Sequence, residues 1–355
     1  MTGLYIHIPF CLSKCPYCDF YSERYSKTLA EEYKKAVIRN LAFYNETYDT
    51  VYFGGGTPIL LADEIADILG QVKLGENAEI TVEANPCVSD DKRLSTLISS
   101  GVNRISFGVQ SMNEDELGFL GRRHTAGQAA KAIELAYKAG FCNISADLML
   151  GLENQTEEKI ERSVEALSAL PVSHISAYLL KIEEGTPFYE MNIDIPEDER
   201  LSELYLYTCD KLSDKGFFQY EISNFAKAGA ECEHNLKYWR CEEYLGIGAA
   251  AHSFFNGKRF FVPRSISSFI SSERQPTKIT DESPADFDEY AMLRLRLSEG
   301  LSFSECEKFG VEKEIILNRL KKIPKEYFIS DENSVRLTKK GFLLSNAVIG
   351  KILGY

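Results

Sequence analysis

The segment Leu4-Tyr5-Ile6-His7-Ile8-Pro9-Phe10-Cys11-Leu12-Ser13-Lys14-Cys15-Pro16-Tyr17-Cys18 runs from a short apolar stretch directly into three cysteines with CxxxCxxC spacing. Three thiolates can hold three irons of a [4Fe–4S] cube and leave the fourth iron free to bind a ligand, whereas a cube with four protein ligands mainly transfers electrons. No fourth cysteine lies close by, because Asp19-Phe20-Tyr21 follows. Zinc sites usually pair cysteines as CxxC and need a fourth ligand. The triplet therefore favours an iron–sulfur cluster and leaves a zinc site or unrelated free thiols as alternatives.

The composition is ordinary for a globular protein, since 44% of the 355 residues are hydrophobic and 26% are charged. The formal net charge of −13 argues against nonspecific nucleic-acid binding, because a phosphate backbone needs a basic face. No basic segment followed by an apolar one marks a signal peptide. We therefore expect a cytoplasmic protein whose nine cysteines stay reduced. The apolar stretches are too short to span a bilayer, which leaves peripheral membrane contact open.

Short apolar runs alternate with longer amphipathic segments through residues 1–216. Strands are predicted near Leu4–Ile8, Thr50–Phe53, Glu79–Glu83, Arg104–Val109, Asn143–Leu148 and His174–Tyr178. Helices are predicted near Leu29–Tyr44, Ala62–Leu69, Asp90–Ser100, Thr125–Ala139, Glu157–Leu170 and Glu197–Lys215. This βα alternation predicts a parallel sheet with helices outside it. Right-handed crossovers would curl the six strands into an α/β fold, a partial (β/α)6 barrel of TIM type.

Each predicted strand ends in polar or glycine-rich residues. The ends are the cysteine loop, Gly54-Gly55-Gly56-Thr57-Pro58, Glu83-Ala84-Asn85-Pro86, Gln110-Ser111, the segment from Asp147 to Gly151, and the segment from Tyr178 to Lys181. In barrel enzymes chemistry gathers at the C-terminal face, where strands pass into loops, so six such endings predict a functional site on one rim. The glycine run lets a backbone approach a ligand without a Cβ clash, but it can also be only a tight turn closed by Pro58.

The alternation ends near Gly216. Residues 217–282 are expected to be a connecting segment that crosses the open side of the barrel, with Gln219–Asn224, His234–Trp239 and Leu245–Ser253 as extended or loop stretches. Residues 283–355 are expected to form a mostly helical, winged-helix-like module. Its predicted elements are helices Ala285–Leu297, Ser302–Phe309 and Glu312–Lys322, a hairpin around Asp331-Glu332-Asn333, and a last helix Lys339–Ile352. Residues 286–355 hold 12 Lys and Arg against 11 Asp and Glu, which favours a structural or partner-docking role over DNA binding.

Six segments resemble the radical S-adenosylmethionine (SAM) superfamily, in its coproporphyrinogen III oxidase-like branch. They are LYIHIPFC, GGGTP, VEANP, RISFGVQS, LGRRH and DLMLGL, and the likeness extends over nearly the whole chain. The resemblance implies a [4Fe–4S] cluster on Cys11, Cys15 and Cys18, with the amino and carboxylate groups of SAM on its open iron. The chain departs from the family pattern at Gly151-Leu152-Glu153, where relatives commonly have Gly-Leu-Pro, and this difference alters a loop.

The resemblance also implies contacts from uncharged residues around the cluster. Gly55, Gly56 and Thr57 would carry the contact to the SAM amino group. Tyr5 and Tyr17 would flank the cluster and SAM.

Charged and amide side chains on the rim complete the implied SAM site. A lone carboxylate at a strand end, such as Glu83, is suited to accept two ribose hydroxyls. Gln110 and Asp147 could bond the ribose or the methionyl part. Arg122 could hold the SAM carboxylate in a bidentate pair. Arg123 is the competing choice, and the motif register favours Arg122.

Three features separate the heme chaperones of this branch from its oxygen-independent coproporphyrinogen III dehydrogenase, a SAM-dependent oxidative decarboxylase. The decarboxylase usually has Cys-Gly-Cys around its third ligand and a long extension ahead of the cysteines. This chain instead has Cys18-Asp19-Phe20, and Cys11 lies near its start. His234-Asn235-Leu236-Lys237-Tyr238-Trp239 matches HNxxYW, a motif associated with the chaperones. The resemblance thus implies a heme chaperone, with the decarboxylase as the alternative.

Heme is the implied cargo. His234 is a mostly neutral imidazole able to bind its iron, and Tyr238 and Trp239 could stack on a porphyrin. His252 is the alternative ligand, and a purely structural role for the motif is the competing interpretation. Further implied partners are heme-accepting proteins, membrane-associated ones among them, and an electron donor of flavin or ferredoxin type. A homodimer is one option, and no nucleic acid is expected.

Overall fold

A twelve-stranded sheet forms the centre of the protein in the computed structural model, which describes residues 1–355. Its middle consists of six strands. They are β1 (Thr2–Ile8), β2 (Tyr48–Gly55), β3 (Leu74–Ala84), β4 (Arg104–Gln110), β5 (Asn143–Leu150) and β6 (His174–Leu179). They lie side by side in chain order, and every neighbouring pair is parallel. All six carboxyl ends therefore meet at one edge, where ligands bind in sheets of this kind.

Helices cover this sheet. Their bounds are Lys27–Leu41, Ala62–Leu69, Asp91–Ser99, Glu114–Phe119, Ala126–Ala139, Glu157–Ser168, Pro187–Glu190 and Asp198–Asp214, with short 3₁₀ helices at Pro58–Leu61 and Pro86–Val88. Side chains at the N-terminus cap several of these helices. Asp90 and Thr156 accept an amide of the first turn, and Thr125 with Gln128 forms a capping box. No helix is both long enough and apolar enough to cross a membrane.

The segment after residue 216 adds strands to both edges of the sheet. Phe218–Gln219 and Asn224–Ala226 extend the β6 edge in antiparallel fashion. At the other edge Tyr244–Ile247 pairs parallel with β1. Antiparallel strands His252–Phe255, Lys258–Phe261 and Lys278–Asp281 follow it, and helix Ile266–Ser271 lies within this run. The two outermost strands do not pair with each other, so the sheet stays open.

The expectation that His234–Trp239 is extended or loop is wrong, because Glu233–Trp239 is a helix. Its first backbone amides are satisfied by a distant side chain. The Glu79 carboxylate on β3 accepts hydrogen bonds from the backbone N–H groups of Glu233 at 3.1 Å and of His234 at 3.0 Å. A carboxylate at a helix N-terminus is stabilising. No local sequence signal marks a cap supplied from about 150 residues away.

Residues 287–353 enclose a second, smaller core. Its elements are helices Phe287–Arg294, Phe303–Lys308, Lys313–Leu320, Lys339–Leu343 and Ser345–Leu353, the 3₁₀ helix Lys325–Tyr327, and a small sheet of Leu301–Ser302, Phe328–Ser330 and Ser334–Leu337. The predicted single last helix is thus two helices that meet at Leu344, where the backbone leaves helical geometry. Gly341 packs so closely on Tyr327 that a Cβ would lie 2.0 Å from its carbonyl oxygen. Packing of Gly341 against Tyr327 therefore fixes the position of the helix Lys339–Leu343.

Candidate cluster and SAM site

A cavity of about 150 Å³ lies at the carboxyl ends of the central strands. Most of the predicted site residues surround it. They are Cys11, Cys15, Tyr17, Cys18, Gly55, Gly56, Thr57, Glu83, Gln110, Arg122 and Asp147. They come from five strands or strand ends and two loops, and the parallel order of the sheet brings them to one rim. Tyr5 and His234 do not line it.

The three cysteines lie on a loop that is closed by a short strand pair, Phe10–Cys11 with Glu23–Arg24. All three thiols are free and half-buried. The Cys11 Sγ lies 3.4 Å from the Thr57 Oγ1, and the Cys15 Sγ accepts a hydrogen bond of 3.4 Å from Arg122. No group of three or more His, Cys, Asp or Glu side chains converges where one metal ion could sit. In a cube each thiolate binds a different iron, so its ligands need not converge on one point.

The glycine run is required by packing as well as by any ligand. A Cβ on Gly55, whose φ is +115°, would lie 2.5 Å from the His7 ring, and a Cβ on Gly56 would lie 2.6 Å from the Phe10 carbonyl oxygen. The backbone N–H groups are already used: those of Gly55, Gly56 and Thr57 donate to Glu83, Ile8 and Phe10. Only the carbonyl oxygens of this run are therefore left to contact a ligand, and they can accept hydrogen bonds from an amino group.

Glu83 is held in place at the end of β3 with room for further donors. Its Oε1 accepts from the Tyr52 hydroxyl at 2.9 Å, and its Oε2 accepts from the Gly55 N–H at 3.0 Å. Burial raises the pKa of its carboxyl group. Each carboxylate oxygen can accept a second hydrogen bond. The pair of oxygens can therefore receive two ligand hydroxyls while the existing contacts fix the carboxylate plane.

Arg122 carries an unsatisfied donor in the cavity wall. Its Nη1 donates to Tyr17 Oη at 3.3 Å as well as to Cys15, and its Nη2 donates to the carbonyl oxygen of Gly108. The Nε is buried and has no partner. A buried donor without a partner is costly, so this nitrogen fits an incoming carboxylate. Arg123 is exposed and does not line the cavity.

Gln110 and Asp147 also line the cavity. Gln110 adopts a left-handed backbone, with φ +74°, and its Oε1 accepts from the Tyr178 hydroxyl at 2.8 Å. Tyr178, Ser106 and Gly108 also line the cavity. The motif comparison did not assign them a role. Period-two alternation along β4 was the available signal, because residues 106, 108 and 110 face one side of a strand.

Burial, reinforced by the nearby Glu83 carboxylate, raises the pKa of Asp147 to about 7. Asp147 is therefore mostly protonated below that pH and ionised above it. The sulfonium of SAM is positive whether or not its amino group is bound to iron, so ionised Asp147 attracts it. We expect SAM affinity to rise as the pH increases through 7, by about fivefold for an attraction of roughly 1 kcal/mol. Titrations at several pH values measure this, and Asp147→Asn should flatten the dependence. The same slope in that variant would assign the titration to another group.

The two remaining predicted residues lie elsewhere. Tyr5 lines a neighbouring cavity of about 570 Å³. His234 is fully buried, with its Nδ1 2.8 Å from Thr50 Oγ1 and its Nε2 2.8 Å from Tyr238 Oη. Burial lowers its pKa to about 3, so the ring is neutral. A neutral imidazole has one N–H and one lone pair, and both are taken here.

Comparison with known proteins identifies the family and the fold. The family model of the radical SAM superfamily matches residues 5–167. The heme chaperone HemW of Bacillus subtilis is 36% identical, with all of both chains covered. HemW of Haemophilus influenzae is 35% identical and covers 98% of this chain and 96% of its own. The solved structure of the Escherichia coli coproporphyrinogen III oxidase HemN has a TM-score of 0.84 at 19% identity, covering 100% of this chain and 90% of that one.

These likenesses confirm the predicted fold and the predicted family. The HemN structure shares the fold over the whole chain, which confirms the α/β radical SAM architecture. The superfamily implies a [4Fe–4S] cluster and SAM, and the donor set of three thiols, a carboxylate and a free guanidinium nitrogen fits them. The identity to curated relatives extends from end to end at more than 30%. The chain therefore belongs to the HemW heme chaperone family within the radical SAM superfamily.

Proposed function

We propose that this protein binds heme and delivers it to acceptor proteins, on a scaffold that also holds a [4Fe–4S] cluster and SAM. The observation that carries the proposal is its end-to-end similarity to proteins named heme chaperones. The cluster is assigned to Cys11, Cys15 and Cys18, which line one cavity. SAM is assigned to the rim residues around that cavity, with Glu83 and Arg122 as its charged contacts.

A SAM-dependent decarboxylase of coproporphyrinogen III is the second candidate, because the fold matches that of HemN over the whole chain. The second residue after Cys18 weighs against it, because the Cys-Gly-Cys pattern of the decarboxylase places its extra cysteine there. This chain has Phe20 at that position, an exposed side chain that lines the cluster cavity and the neighbouring cavity. An aromatic side chain cannot replace a cysteine as a ligand to iron.

The remaining partners follow from the same proposal. Heme-accepting proteins, membrane-associated ones among them, receive the cargo, and a flavin or ferredoxin-type protein reduces the cluster. A homodimer, a cytoplasmic location and the lack of a nucleic-acid partner are further parts of the proposal. The net charge of −13 supports only the last of these. Size-exclusion chromatography with light scattering and cell fractionation test the oligomeric state and the location.

Anaerobically reconstituted protein should bind hemin and should not convert coproporphyrinogen III, even with SAM and a reductant present. Hemin titration followed at the Soret band measures the first, and CO2 release with product chromatography measures the second. HemN, treated in the same way, is the positive control for turnover. Repeated turnover of coproporphyrinogen III would overturn the chaperone assignment and establish the decarboxylase.

A further inference from the structure

The larger cavity beside the cluster site has the size of a cofactor site. Its volume is about 570 Å³, within the roughly 300–1,000 Å³ of small-molecule pockets. The cluster cavity is about four times smaller. Phe20, two residues after Cys18, lines both cavities, although it is 67% exposed. The two sites therefore share a wall at the cysteine loop.

The lining of the larger cavity is mainly aromatic, with one ion pair among its residues. Tyr5, Tyr21, Tyr238, Tyr244 and Phe261 present rings to it. Aromatic faces suit a flat conjugated ligand. Arg264, whose side chain is 62% exposed, lies 3.6 Å from the Asp19 carboxylate, which also lines the cavity. The guanidinium has five N–H donors, so it can bind a further carboxylate beside this ion pair. A planar ring system carrying acidic groups fits this distribution.

The state of the histidines decides which of them can bind a metal in this cavity. His174 is buried and bonded through both ring nitrogens, as is His234. His124 is buried, lines neither cavity and donates to the Val109 carbonyl oxygen. His7 does line the larger cavity. Its Nε2 lies 3.0 Å from the Tyr21 carbonyl oxygen, so its Nδ1 must accept from the Tyr5 hydroxyl at 2.9 Å. None of these four offers a lone pair to the cavity.

His252 is the fifth and last histidine. It is exposed, lines the larger cavity and stacks on Phe261, with ring centroids 5.5 Å apart and planes inclined by 22°. No hydrogen bond of the protein uses its ring nitrogens. Partial burial and the nearby Arg264 lower the pKa of its imidazole, which keeps a lone pair available at neutral pH. Its ring is therefore both oriented by packing and open to a ligand.

The HNxxYW motif contributes a tyrosine to the wall of the larger cavity, and its histidine holds that tyrosine in place. Tyr238 lines the cavity, and its hydroxyl is held by His234 at 2.8 Å. The Tyr238 ring meets Tyr244 edge-on, with centroids 4.5 Å apart. His234 is thus a positioning residue for an aromatic wall. This accounts for a histidine in the motif without any contact to iron.

We propose that heme binds in this larger cavity, with its iron on His252 and a propionate on Arg264. The inference rests on the proposed function, since it names the site for that cargo. The cluster loop forms part of the heme pocket through Phe20, so cluster assembly and heme binding act on one segment of chain. His234 does not bind the iron.

The test compares anaerobically reconstituted wild-type protein with His252→Ala, a substitution at an exposed side chain without hydrogen bonds. We expect hemin affinity to fall about tenfold or more, that is by at least roughly 1.4 kcal/mol. We also expect the Soret band to shift and the iron–histidine stretching band of the ferrous complex to disappear from resonance Raman spectra. Added imidazole should restore the wild-type spectrum in this variant. Arg264→Gln should weaken binding without changing the iron spectrum.

Lys258→Ala is the matched control, because Lys258 is exposed on the same hairpin and does not line the cavity. It should leave affinity and spectrum unchanged. His234→Gln should keep the iron–histidine band. If wild-type protein binds no hemin, the proposed function itself fails. If wild-type protein binds hemin and His252→Ala binds it equally, with an unchanged spectrum, the function stands and this site is wrong. If the iron–histidine band is lost in His234→Gln but kept in His252→Ala, His234 of the HNxxYW motif is the iron ligand and this proposal is wrong.

Discussion

Cys11→Ala, Cys15→Ala and Cys18→Ala should each reduce bound iron after anaerobic reconstitution from about four atoms per chain to near zero. Two thiolates cannot hold the cube against hydrolysis and oxygen. All three thiols line the same cavity at the end of β1 and β2, and no fourth cysteine lines it. Iron and acid-labile sulfide per chain, with the visible spectrum of the cluster, measure the result.

Cys87→Ala is the control that makes this prediction sharp. Cys87 is exposed on the 3₁₀ helix Pro86–Val88 and, together with Cys15, lines a small recess beside the site. It is thus the free thiol that could most easily be mistaken for a ligand. Its replacement should leave the iron content unchanged. Iron lost from Cys87→Ala as severely as from the triplet variants would show that the ligand set is misassigned.

Glu83→Ala and Arg122→Ala should weaken SAM binding while the cluster stays in place. Each removes a charge-assisted contact worth about 1.5–3 kcal/mol, or roughly tenfold to a hundredfold in affinity. For Glu83 the lost contact is a carboxylate that Tyr52 and Gly55 already orient. For Arg122 it is the guanidinium whose buried Nε has no protein partner. Anaerobic calorimetric titration with SAM, at matched iron content, measures both effects.

Neighbouring substitutions separate loss of contact from loss of structure. Arg123→Ala removes the same type of side chain from the next position, which is exposed and outside the cavity. It should bind SAM like the wild type. Glu83→Gln keeps the shape but loses the charge, so its affinity should lie between those of wild type and Glu83→Ala. Equal SAM affinity in wild type, Glu83→Ala and Arg122→Ala would mean that SAM does not bind on this rim.

Much of the barrel and its rim could be predicted because the information is local. Each of the six strands contains a short apolar run, and Cys11, Glu83, Gln110 and Asp147 lie in the last part of a strand or within three positions of its end. Parallel strands in chain order place all carboxyl ends on one edge, so strand ends alone predicted that Cys11, Glu83, Gln110 and Asp147 meet. The structure brings them around one cavity. Tyr5 lines the larger cavity instead, because it lies in the middle of β1, with its ring beside Tyr52 and His234.

By itself, the sequence determined the family, the parallel α/β order and the three thiols, because these depend on spacing and on neighbours along the chain. Only the tertiary structure showed which histidines already use both ring nitrogens in hydrogen bonds. The lone pair of His234 is used by partners on β2 and on its own helix, and that helix is itself capped by Glu79 on β3. His252 stacks on Phe261, and no hydrogen bond of the protein uses its ring nitrogens. Thr50, which takes one ring nitrogen of His234, and Glu79, which caps its helix, both lie more than 150 positions away, and no local pattern carries that information.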